Sequence, residues 1–354
     1  MENFRIRMSF VGEKIEGQGV LSATLEQISL IDELCKEEFS VSVNKGKYDL
    51  FHAHTVNPRN YFAAKYSSKP VITHVHFLPE TFDGSIKLPK FLMKLFYQYF
   101  LKIYKKSDYL VLVNPIFSKK LIEFGVDPLR IKYIPNFVSE KNFYEMASEE
   151  KLGIRSKYNY TQDDFVVLGV GQVQTRKGVM DFLEIAKAMP HLKFIWVGGF
   201  SFGAITDGYK EFKKAIDDAP SNVKFTDIIP RSEMNGIYNM ADILFVPSYN
   251  ELFPMAILEA CSTNTPLLLR NLDLYEDILF KYYQGDSNEK FIELLSKLSE
   301  KTEDYEIAKN YSNKIKTYYS RENIKKLWVD LYQEVYQEYK DNKFKRSKQN
   351  RKIK

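Results

Sequence analysis

The sequence predicts an α/β protein built from two doubly wound, Rossmann-like domains that face each other across a cleft. Three observations predict it. Short β-branched or apolar runs alternate with longer helical patterns along the chain. A polar, irregular stretch from Phe137 to about Thr161, holding Ser139, Glu140, Glu149, Glu150 and Lys151, interrupts the alternation and reads as a domain boundary. The 354 residues are long for one hydrophobic core and comfortable for two of roughly 150 residues each. Domains are expected at 1–145 and 160–318.

Arg5–Val11 reads as the first strand, followed by Gly17-Gln18-Gly19 and a helical stretch from Val20 to about Glu37. Tyr48–His54 and Pro70–His76 are strand ends that each carry two histidines. Lys87–Lys106 is a helix, and Tyr109–Asn114 and Ile131–Ile134 are further strands. The second half repeats the pattern: strands at Phe165–Gly171, Lys193–Gly198, Val223–Thr226 and Ile243–Pro247, and helices at Val179–Met189, Arg231–Met240 and Pro254–Cys261. In such sheets ligands bind beyond the carboxyl ends of the strands.

Composition narrows the class. Hydrophobic residues make 44% and charged residues 27%, as in ordinary globular proteins. Cys35 and Cys261 are too few and too far apart for a disulfide framework or a zinc motif. No signal peptide or spanning helix is legible, which predicts a cytoplasmic location. The net charge of +5 is uneven: residues 340–354 hold eight Lys/Arg and one Asp, leaving the rest at −2. Such a basic tail suits an anionic membrane surface, or is simply solvated and disordered. A slightly acidic body argues against nucleic acid. On the helix 87–106, Lys90, Lys94, Gln98, Lys102 and Lys106 form a stripe beside Phe91, Leu92, Leu95, Phe96, Tyr99, Phe100 and Ile103. That face either packs on the core or lies in a membrane interface.

Four groups of residues carry candidate chemistry. Glu251 and Glu259 stand eight apart across a strand–loop–helix junction through Phe253, Pro254 and Met255. The helix start can hold anionic oxygens, and a carboxylate such as Glu259 can accept from both hydroxyls of a ribose. Gly171–Gly178 is a loop after a strand that presents Arg176 and Lys177, suited to a phosphate. Gly17 and Gly19 permit close backbone approach, or make a plain tight turn. His52, His54, His74 and His76 lie at strand ends, where imidazoles can order a sugar hydroxyl or a leaving phosphate, or can be packed core. Their spacing matches no zinc signature, so no metal is expected.

Taken together these motifs resemble the family 4 retaining glycosyltransferases of the GT-B fold, over nearly the whole chain. The Glu-x7-Glu pattern is Glu251 through Glu259, and the loop Gly171–Gly178 is similar to the family's Gly-Arg-Leu-x-x-x-Lys-Gly. The resemblance implies that Lys177 holds the donor phosphate, that Glu251 positions the donor sugar and that Glu259 takes the ribose. The family's arginine after the glycine is Gln172 here, so either Arg176 supplies that charge or Lys177 acts alone. Its active-site histidine falls on His76, with His74 as the alternative. Within the family, Glu16–Val20, His74–Thr81 and Gly171–Gly178 look like the bacterial glycolipid synthases that extend monoglycosyl-diacylglycerol to diglycosyl-diacylglycerol. This implies a UDP-sugar donor, glucose or galactose, a glycolipid acceptor and no cofactor. It also implies a peripheral place on the inner face of the cell membrane, with residues 87–106 and 340–354 on the anionic surface. The helical stretch 321–339 is expected to cross back onto the N-terminal domain, which binds acceptor and membrane. A soluble enzyme building a surface polysaccharide or glycosylating a protein, and a catalytically dead partner protein, are the alternatives.

Overall fold

The computed structural model describes residues 4–9, 19–34, 39–76, 78, 90–200, 203 and 208–341. The N-terminal half holds strands β1 (Phe4–Ser9), β2 (Phe39–Val43), β3 (Leu50–Ala53), β4 (Val71–Val75), β5 (Tyr109–Leu112) and β6 (Ile131–Tyr133). Its helices are α1 (Gly19–Leu34), α2 (Pro58–Tyr66), α3 (Lys90–Lys106) and α4 (Phe117–Glu123). The C-terminal half holds β7 (Val166–Val170), β8 (Lys193–Val197), β9 (Val223–Phe225), β10 (Ile243–Val246), β11 (Leu267–Arg270) and β12 (Gln284–Asp286). Its helices are α5 (Ser148–Lys157), α6 (Val179–Ala188), α7 (Tyr209–Asp217), α8 (Arg231–Met240), α9 (Met255–Ser262), the short α10 (Glu276–Leu279), α11 (Asn288–Ser299) and α12 (Glu303–Tyr318). The last helix, α13, runs from Arg321 to Lys340.

The sheets run β2-β1-β3-β4-β5-β6 and β12-β11-β10-β7-β8-β9, and the strand pairs within them are parallel. Both are doubly wound, as the alternation predicted. Strands β3, β4, β5 and β10 are buried at every position, which explains the continuous apolar runs of β5 and β10. One apolar core joins a face of each sheet with α13, from Phe4 and Ile72 through Phe143 and Leu244 to Trp328 and Val335. Each sheet's other face has its own core, around Tyr104 and Leu110 in the first half and around Phe182 and Phe245 in the second.

The structure corrects one detail. The stretch 137–161 is not irregular throughout, because α5 lies within it. Glu150 accepts from the Ala147 N–H at 3.1 Å to start that helix, and Arg155 fixes it to the second half through Asp242 at 2.7 Å and the Met240 carbonyl. Glu259 lies a little over one turn into α9, which starts at Met255. The helix end predicted near Glu37 lies outside the described residues.

Helix α13 contacts the N-terminal half. Tyr332 accepts from Gln27 at 2.9 Å, Tyr109 donates to Glu334 and Glu338, and Lys132 pairs with Glu334 at 2.8 Å. The apolar face of α3 divides: Phe100, Ile103 and Tyr104 are buried, while Phe91, Leu92 and Leu95 are exposed beside Lys94 and Lys102. Core packing therefore accounts for the second part of that face and not the first. No helix among the described residues is long and apolar enough to cross a membrane.

Candidate active site

Strand β7 delivers the chain into the loop Gly171–Gly178. Gly178 ends a 3-10 turn over Thr175–Lys177 in the left-handed region (φ +70°), and a Cβ there would lie 2.3 Å from the Pro247 carbonyl oxygen. A side chain is excluded twice over, by conformation and by space. The glycine thus lets the loop lie against the segment after β10, which carries Glu251.

Lys177 Nζ forms a salt bridge with Glu251, and Arg176 stands 3.8 Å from the same carboxylate. Gln172 bonds within its own loop. It accepts from Gln174 at 2.7 Å, and Gln174 accepts from Arg176 Nε at 3.1 Å, so the two glutamines steer the arginine. Burial works to raise the Glu251 carboxyl, but Lys177 and Arg176 outweigh it and hold the group below its ordinary value. Burial, with Arg176 adding to it, pulls the Lys177 ammonium down against the attraction of Glu251. The result is a buried, ionised carboxylate held between two cations.

Phe253 is buried against Tyr319 at 5.2 Å, and Pro254 caps the start of α9 with Met255 as its first residue. The N–H groups of the first turn of α9 lie at the positive end of the helix dipole, and that of Ile257 donates to the Pro254 carbonyl at 3.1 Å. Glu259, one turn on, is held by Arg231 Nη1 at 2.5 Å and by the Tyr238 hydroxyl at 2.7 Å. Its remaining lone pairs can still accept from a diol. Arg231 also reaches Glu26 at 3.1 Å and Ser22 at 3.0 Å on α1, and so ties α8 and α9 to the N-terminal half. Asn114 makes a second tie, donating to the Leu252 and Leu274 carbonyls at 3.0 and 3.1 Å. Sequence reading missed Arg231, Tyr238, Glu26 and Asn114, because nothing in their local patterns points across the domain boundary. The one available signal was Arg231 opening a helix directly after Pro230.

The four histidines are brought together, all buried, but with each other rather than with the carboxylates. His54 Nδ1 lies 3.2 Å from His76 Nε2, and His52 Nδ1 lies 3.0 Å from the Tyr332 hydroxyl. His74 stacks on His76 at 4.0 Å. Burial holds His52 and His76 down to about 3, and His54 and His74 also lie well below the usual imidazole value. All four are therefore neutral near pH 7. Gly17 lies outside the described residues, and Gly19 is the first residue of α1. Residues 87–89 and 342–354 of the two basic segments also lie outside them.

Comparison with known proteins fits this geometry. Residues 151–316 match the family described as glycosyl transferases group 1, and residues 21–141 match glycosyltransferase family 4. The chain is 37% identical to the alpha-galactosylglucosyldiacylglycerol synthase of Streptococcus pneumoniae, over 94% of this chain and 90% of that one. It is 32% identical to the processive diacylglycerol alpha-glucosyltransferase of Acholeplasma laidlawii, over 82% and 86%. Among solved structures, Anabaena HepE in complex with UDP-glucose superposes with a TM-score of 0.76 at 15% identity, covering 94% of this chain and 100% of that one. Sucrose-phosphate synthase from Thermosynechococcus elongatus gives 0.76 at 14%, over 94% and 99%. At those identities the structural likeness establishes the shared GT-B fold.

Proposed function

The chain belongs to the family 4 glycosyltransferases, and from that premise we propose that it transfers a hexose, with retention, from a UDP-sugar to a membrane glycolipid. The acceptor is monoglycosyl-diacylglycerol and the product diglycosyl-diacylglycerol. The observation that carries the acceptor class is the 37% identity, along nearly the full chain, to a synthase of that kind.

The site supplies the parts such a transfer needs. Lys177 and Arg176 neutralise the departing diphosphate, and the N–H groups at the start of α9 add fixed positive dipoles. Donor binding exchanges the Lys177–Glu251 pair for Lys177–phosphate and Glu251–sugar contacts. The pair thus keeps both groups ionised and in position until the donor arrives. Glu259 accepts from the ribose while Tyr238 and Arg231 hold its orientation. The acceptor hydroxyl attacks the face the diphosphate leaves, and its proton passes to the leaving phosphate oxygen. His76, held neutral by burial, donates or accepts a hydrogen bond with a donor hydroxyl without adding charge. The two cations provide charge neutralisation without a donor-bound metal ion.

The exposed Phe91, Leu92 and Leu95 of α3, with Phe62 and Tyr66 exposed on α2 beside it, make an apolar surface bordered by Lys65, Lys94 and Lys102. It suits the interface of an anionic leaflet and supports a peripheral place on the inner face of the membrane. The test offers labelled UDP-glucose and UDP-galactose with monoglucosyl-diacylglycerol in anionic vesicles, and reads the anomeric configuration of the product by NMR. One donor should give an α-linked diglycosyl lipid. An inverted product, or transfer to none of the glycolipids offered, overturns the reading.

A further inference from the structure

The histidine cluster has a feature that sugar transfer does not use. The register of β3 on β4 sets His52 opposite Ile72 and Ala53 opposite Thr73, so His52, His54, His74 and His76 rise from one face of the sheet. Helix α13 covers that face with Trp328, 5.3 Å from His52 and 5.6 Å from His74, and with Tyr332. Under this cover His52 Nε2, His54 Nε2 and both ring nitrogens of His74 have no hydrogen-bond partner among the described residues. These residues are 0%, 1% and 5% exposed. Buried polar atoms of native proteins are rarely left this way, and three neighbouring imidazoles sharing the condition point to one common occupant.

We propose that His52, His54 and His74 bind one divalent transition ion, zinc in kind, between β3 and β4. One nitrogen from each ring lies within 4.8 Å of the others. Tetrahedral zinc at 2.0–2.1 Å needs its ligand nitrogens about 3.3 Å apart, so even the widest spacing closes with a shift of about 0.7 Å per ring. Neutral imidazoles are the ligand form, and three of them suit a borderline ion such as zinc rather than calcium or magnesium. The outer contacts fit as well. Tyr332, accepting from His52 Nδ1–H, turns the His52 Nε2 lone pair inward. With His54 Nε2 on the ion, its Nδ1–H donates to His76 Nε2, which fixes the proton of His76 on Nδ1. The ion thus links the two strand ends and sets the tautomer of the histidine nearest the cleft. None of this depends on which donor or acceptor the enzyme uses.

The test takes the full chain without a histidine tag, strips it with chelator and titrates it with cobalt(II) as a spectroscopic stand-in for zinc. The expected result is a visible ligand-field band that saturates at about one equivalent. Trp328 emission should be quenched in parallel, with a Trp328→Phe variant separating it from Trp196. Zinc should displace the band and raise Tm, and metal analysis of unstripped protein should find about one equivalent. His74→Asn and His54→Asn should each abolish the band, with circular dichroism checking that they fold. If they do not fold, the wild-type stoichiometry and the Trp328 quenching decide. Absence of the band together with an unchanged Tm overturns the site, and so does a band that survives in folded His74→Asn.

Discussion

At the carboxyl ends of the C-terminal sheet the buried groups are charged and paired: Glu251 lies between Lys177 and Arg176, and Glu259 between Arg231 and Tyr238. At the matching ends of the N-terminal sheet they are neutral imidazoles, three of them with nitrogens that have no partner among the described residues. Both sheets are parallel and six-stranded although their strand orders differ, so the shared architecture did not choose between these chemistries. Side-chain type at the strand ends did. The contrast sets paired ionic groups in one half against uncharged imidazoles in the other, and under the proposed function the charged wall faces the anionic leaving group.

The comparison can be broken hardest at Lys177. Lys177→Ala should cut kcat by about 10²–10³-fold, the usual cost of losing one positioned oxyanion partner, in a labelled-donor transfer assay. Turnover near the wild-type rate would remove the charged wall from the mechanism. Glu259→Ala should cost less, about 10–100-fold and chiefly in donor KM, since it loses charge-assisted hydrogen bonds to the ribose. Wild-type-like activity there would sink the assignment of the ribose site.

Arg231→Met probes the tie between the halves. It leaves Glu26 and Glu259 short of a partner, and urea unfolding should register a loss of about 1–3 kcal/mol, below the fully buried case because Arg231 is a third exposed. An unchanged midpoint would mean that the halves do not depend on that bridge. Phe91→Ser with Leu95→Ser should weaken sedimentation with anionic vesicles by about fivefold, with thermal stability unchanged because both side chains are exposed. Equal sedimentation would take the membrane away from α3.

The smallest effect expected is on pH dependence. The folded Glu251 carboxyl lies below its ordinary value of 4.5, so its contribution to stability is full above that pH and is lost as pH falls through the lowered value. The stability gap between wild type and Glu251→Gln should therefore narrow from pH 6 toward pH 3. A gap that does not change with pH would show that the pairing with Lys177 does not hold the charge.

Much of this was legible in the chain. Strands buried on both faces are mostly apolar, so β5 and β10 were legible as unbroken apolar runs, and β3 and β4 as apolar segments ending in histidines. Helix α5 was hidden because it has little apolar periodicity, although its acidic first turn and basic last turn were there to be read. The short strands β11 and β12 gave too little pattern, with Gln284–Asp286 carrying no apolar residue at all.

By itself the sequence determined the doubly wound halves, the Glu251–Glu259 spacing and the cation loop, because each depends on periodicity or on residues close along the chain. Only the tertiary structure decided what meets across distance. It placed Lys177 on Glu251, Arg231 between Glu26 and Glu259, and four histidines from two His-x-His pairs in one buried cluster beneath Trp328. Parallel strands adjacent in the sheet are separated in sequence by a crossover. The register that aligns their side chains is set by packing between elements, which no local pattern encodes.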